Sequence, residues 1–174
     1  MKKILLFILI IIVLSGCSFT NDTPKKITEE LFKNYQTLAK DVNDQLDMIT
    51  ENQISLTDQQ KTKYKKIIEK QYKNLTYEIK DERIDGEEAI VTVEIEVYNY
   101  YKALEEASKK LDNFTNNGQL DNNKYNDYRI KRLEDIKERI KYTIDVYLNK
   151  EEDKWLVDNF TEIEREKIHG IYGY

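Results

Sequence analysis

Apolar residues along this chain follow two rhythms, and the switches between them mark out the elements. After Thr23-Pro24, a pair suited to cap and open a helix, Ile27, Leu31, Tyr35, Leu38, Val42, Leu46 and Ile49 recur at steps of three and four. That stripe predicts one amphipathic helix running to about Glu51, its apolar face directed at a core. The run is short for a coiled-coil seam. Thr57 with Gln60 forms a capping box for a second helix, whose stripe is Tyr64, Ile67, Ile68, Tyr72 and Leu75. The period then drops to two. Leu75, Tyr77 and Ile79 alternate with polar residues, and Asp85-Gly86 supplies a hairpin turn. Ala89, Val91, Val93, Ile95 and Val97 follow on one face of a strand, with Thr92, Glu94, Glu96, Tyr98 and Tyr100 mainly on the other. One buried face and one wet face is the mark of an antiparallel sheet.

Helical spacing returns from Ala103 to Leu111, an Asn/Asp-rich loop spans 112–124, and Tyr128, Leu133, Ile136 and Ile140 mark a further helix. A second hairpin alternates Tyr142, Ile144, Val146 and Leu148, turns at Glu151-Glu152-Asp153, and continues through Trp155 and Val157. Glu162 to Ile168 reads as a last short helix, and 169–174 as a Gly/Tyr tail. No repeat at a solenoid period is present.

The first residues follow neither rhythm. Lys2 and Lys3 precede an apolar run from Ile4 to Val13, closed by Leu14-Ser15-Gly16-Cys17. The run is shorter than the ~20 residues a membrane-spanning helix needs, and its flanks are those of a signal peptide. Leu14 to Cys17 resembles the lipobox of bacterial lipoproteins. The resemblance implies that residues 1–16 are removed and that Cys17 carries a diacylglyceryl membrane anchor. Two acyl chains suffice for stable attachment where one would not. Cys17 is the only cysteine, so the chain forms no internal disulfide. Residues 17–23 make a tether reaching only ~20 Å beyond the cysteine, which keeps the domain close to the bilayer.

Charge narrows the partners. A net charge of −5, with charged residues at 35%, argues against nucleic acid, which wants a basic face. Loss of Lys2 and Lys3 makes the remaining chain more acidic still, so attachment to anionic lipid rests on the anchor. One proline and five glycines suit helices around one patterned sheet.

Two helices, a long hairpin, a helical excursion and a closing hairpin, with Tyr72-Lys73-Asn74-Leu75 leading into the first strand and Lys154-Trp155-Leu156-Val157 in the last, resemble the NTF2-like (cystatin-like) α+β fold. Small lipoproteins of Gram-positive bacteria are built on it. The resemblance covers about 24–168 as a single domain. It implies helices laid across a curved antiparallel sheet of about four strands, forming a cone, with a helical insertion at 101–140. A three-helix bundle with two separate hairpins is the competing architecture.

Enzymes of that fold use the cone interior with an acid–base pair. Here the only histidine, His169, lies in the tail without a visible partner and reads as surface decoration. A serine nucleophile would need that same histidine. Glu94 and Glu96 share a strand face as potential paired acids, but their alternation with Val93 and Ile95 puts them on a solvated exterior. Asn113-x-Thr115-x-Asn117-Gly118 echoes a calcium loop, yet Lys124 stands where the bidentate Glu belongs, so it reads as a turn. No His/Cys cluster has metal-ligand spacing. Thirteen tyrosines, with Tyr98, Tyr100 and Tyr101 together, suit half-buried packing better than a glycan platform. The sequons at Asn74, Asn113 and Asn159 carry no meaning in a bacterium. No catalytic residue, cofactor or metal is expected, and Cys17 is the one candidate site. The expected role is non-catalytic recognition or scaffolding of an envelope protein at the outer face of the cytoplasmic membrane. The alternatives are a receptor for a small apolar ligand or cell-wall glycan in the cone, and an enzyme using carboxylates alone.

Overall fold

A computed structural model describes residues 22–173. Thr23 caps α1 (Pro24–Thr37) by accepting from the Lys26 N–H at 3.2 Å. The helix does not continue to Glu51. Leu38 takes a left-handed conformation (φ 51°, ψ 52°), and the N–H groups of Leu38 and Ala39 donate to the carbonyls of Tyr35 and Asn34. α2 (Lys40–Glu51) then begins after Ala39. The unbroken stripe gave no sign of this break. A left-handed leucine costs ~1–2 kcal/mol, offset because each helix buries its own face: Thr28 and Phe32 in α1, Val42, Leu46 and Thr50 in α2.

The Thr57–Gln60 capping box opens α3 (Asp58–Asn74), with both reciprocal bonds in place at 3.3 and 3.0 Å. Ile67, Ile68 and Tyr72 face inward, and Leu75 is buried at its end. β1 (Thr76–Asp85) and β2 (Glu88–Tyr98) form the first hairpin, with an irregularity at Lys80. α4 (Tyr100–Ser108), a short 3-10 turn, the two-residue strands β3 (Thr115–Asn116) and β4 (Gln119–Leu120), and α5 (Asn122–Asp135) make up the excursion. α5 stops before Ile136, which is already extended, and Ile140 pairs with Val97 inside the sheet. Assigning both isoleucines to the helix is therefore corrected: their spacing spans a helix end and a strand start.

β5 (Arg139–Glu151) and β6 (Lys154–Val157) complete an antiparallel sheet of order β1-β2-β5-β6. β2 and β5 stay in register from Glu88↔Asn149 to Tyr98↔Arg139. The two hairpins therefore share one sheet, which excludes the bundle with separate hairpins. The excursion is cinched at its neck, where the Asn99 N–H donates to the Glu138 carbonyl at 2.9 Å. α6 (Glu162–His169) has a second capping box, Thr161 with Glu164.

The described residues thus form a mixed α+β structure of six α-helices and a four-stranded antiparallel sheet. α1, α3 and α6 lie against the sheet's inner face, while α4 and α5 pack chiefly on each other and α5 also on α3. Residues 170–173 fold back onto this body: Gly170 accepts from the Tyr101 N–H and Tyr172 from the Tyr142 hydroxyl, each at 2.7 Å.

Candidate functional site

The space between helices and sheet is where a cone-shaped fold would hold a ligand. In this chain Phe32, Leu46, Val91, Val93, Ile95, Val97 and Val146 meet there with no exposed surface. The interior is packed side chain against side chain.

Glu94 and Glu96 lie on the opposite, wet face. Glu94 sits 2.8 Å from Lys141 and 3.6 Å from Lys80, and the Lys141 ammonium holds its carboxyl below the usual range. Glu96 pairs with Arg139 at 3.3 Å. A carboxylate that is to donate a proton near neutrality needs the opposite shift.

His169 is not surface decoration. It closes α6, its Nε2 lies 2.7 Å from the Tyr72 hydroxyl, and the two rings stack at 5.8 Å. Burial, aided by the nearby Arg165 charge, depresses its pKa to about 4, so the ring stays neutral. Burial also raises Tyr72 far above the usual phenol range and Tyr35, edge-on to Tyr72, to about 12. A neutral imidazole against a phenol that keeps its proton makes a packed hydrogen-bonded pair. The sequence hid it because the partners are 97 positions apart.

The Asn/Asp loop is spent on structure. Asn117 and Gly118 turn with positive φ between β3 and β4, and Asp121 caps α5 by accepting from the Lys124 N–H. Among the described residues no three His, Cys, Asp or Glu side chains group to hold a metal ion. Tyr100 belongs to α4, not to the wet strand face: it is buried, and its hydroxyl donates to the Ile67 carbonyl at 3.1 Å.

One cavity of about 270 Å³ lies among α3, α4, α5, the α2–α3 connection and the C-terminal segment. Ile68, Tyr100, Ile130 and Leu133 form its buried floor, with Leu104 and Ile171 beside them. Tyr64, Asn126 and Arg129 bring polar atoms to it. Nothing in the local sequence marks this cleft, because its walls come from four separate stretches of chain.

Cys17 lies outside the described residues. Within them no helix is long and apolar enough to cross a membrane. The chain matches no curated protein and no solved structure. Residues 1–18 match the prokaryotic membrane lipoprotein lipid attachment site, which supports a bacterial lipoprotein held at a membrane by lipid.

Proposed function

We propose that this is a non-catalytic recognition or scaffolding protein of the cell envelope, tethered by a diacylglyceryl group on Cys17 to the extracytoplasmic face of the membrane. The observation that carries the reading is the filled centre of the fold: Phe32, Leu46, Val93, Ile95 and Val97 have no exposed surface between helices and sheet, and the cleft of about 230 Å³ at the edge, among Leu31, Tyr35, Val157 and Phe160, lies outside that centre. The ion-paired Glu94 and the neutral, depressed His169 add to it, since neither is poised to exchange protons near neutral pH. Helices across one face of a four-stranded antiparallel sheet favour an NTF2-like arrangement of the kind used in small Gram-positive lipoproteins. A receptor using the cone itself is disfavoured by the same packing.

The test is crosslinking of the anchored protein in living cells, followed by mass spectrometry of what is captured. One dominant envelope protein, lost when Cys17→Ala removes the anchor, is the expected result. Capture of only lipid or wall fragments would overturn the scaffold reading.

A further inference from the structure

The cleft outside the cone is lined by polar side chains that the fold uses to different degrees. The Asn126 amide donates to the Ser55 carbonyl at 2.9 Å, and Gln53 reaches the Ile49 carbonyl. Tyr64, by contrast, has no hydrogen-bond partner among the described residues. Arg129 meets no carboxylate among them, touching only the Asn126 side-chain oxygen at 3.5 Å and the Tyr125 ring at 5.7 Å. Arg83, Arg132 and Arg139 sit on acidic partners, while Arg165, which like Arg129 forms no ion pair among the described residues, donates to the Phe160 carbonyl. Arg129 and Tyr64 line the same cavity.

An apolar floor with a few convergent polar groups, set between helices, is the usual anatomy of a small-ligand site. At about 270 Å³ it lies just below the ~300–1,000 Å³ common for such sites, so the occupant is small. A guanidinium offers paired, parallel donors that match a carboxylate, and the phenol supplies one more. The apolar walls favour a hydrocarbon or aromatic body over a sugar. Ile54, 95% exposed, stands on the same connection as the rim residues Ser55 and Leu56 and adds apolar surface at the mouth.

We propose that the α3–α4–α5 cleft binds a small organic acid, its apolar body seated on Ile68, Tyr100, Ile130 and Leu133 and its carboxylate held by Arg129 and Tyr64. This rests on the non-catalytic reading only in that the acid is held and released unchanged. Turnover of the bound acid would overturn that reading and leave the binding site standing.

The test uses the full chain in phosphatidylcholine vesicles, with equilibrium dialysis of 4-phenylbutanoate and its neutral amide, 4-phenylbutanamide. Protein-free vesicles correct for partition into lipid. Saturable binding of the acid at a millimolar Kd or tighter, about tenfold tighter than the amide, is expected. Arg129→Gln and Tyr64→Phe should each weaken the acid by up to about tenfold and leave the amide unchanged, with native circular dichroism retained. Leu104→Trp, which fills the cleft, should remove both ligands. Equal affinity for acid and amide, no saturable binding below about 10 mM, or indifference of the acid to Arg129→Gln would each overturn the proposal.

Discussion

The Tyr72 hydroxyl and His169 Nε2, 2.7 Å apart, tie the end of α3 to the last turn of α6. Because burial keeps His169 neutral with a pKa near 4, the unfolded chain takes up this proton first as pH falls. Above the unfolded value of ~6.5 neither state is protonated and the contribution is constant; between ~6.5 and ~4 stability declines with falling pH. The decline is at most ~3 kcal/mol, and less because the ring keeps some solvent contact. Urea titrations across this window, compared with His169→Gln, check it. An equally steep slope in the variant would assign the loss to carboxylates instead.

Gly170 has φ 71°, and a side-chain carbon there would run into the Tyr98 carbonyl and the Gln71 amide. Gln71 itself brackets Tyr98, accepting from its N–H and donating to its carbonyl. Gly170→Ala should therefore lower stability by ~3 kcal/mol or more. A loss below ~1 kcal/mol in urea unfolding would mean the turn yields easily.

Glu152 and Asp153 both take positive φ, 47° and 65°, at the β5–β6 turn. Glu disfavours that geometry and Asp only tolerates it, whereas Asn-Gly suits it. Glu152→Asn with Asp153→Gly should raise stability by ~1 kcal/mol, seen as a higher urea midpoint with an unchanged m-value.

Cys17→Ala should abolish incorporation of a labelled fatty acid into the protein and leave an unprocessed or released chain. Unchanged labelling would remove Cys17 as the attachment point.

What was legible in the sequence was local. The alternation from Ala89 to Val97 and the Thr57–Gln60 box each act within a few residues, and both stand in the structure. The break at Leu38 was not legible, because the apolar stripe runs through it while the backbone turns left-handed for the sake of two separate packing faces. Leu133, Ile136 and Ile140 misled for the opposite reason, a helix end and a strand start happening to share helical spacing. The cleft and the Tyr72–His169 pair stayed hidden because tertiary folding alone brings their residues together. Tyr64 reads in the sequence as one more position of the apolar stripe with Ile67, Ile68 and Tyr72, and only the fold sets it beside Arg129 at the cleft.

The neck at Asn99 and Glu138 also has a consequence in time. β1–β2 and β5–β6 are local pairings, but the central β2–β5 ladder forms only after about 40 intervening residues are closed into a loop, at an entropic cost of ~3 kcal/mol. Until that loop closes, β2 has one edge bare. An unpaired apolar strand edge is a template for wrong partners. α4 and α5 pack on each other within the loop, so the excursion shortens the span that the β2–β5 ladder has to close.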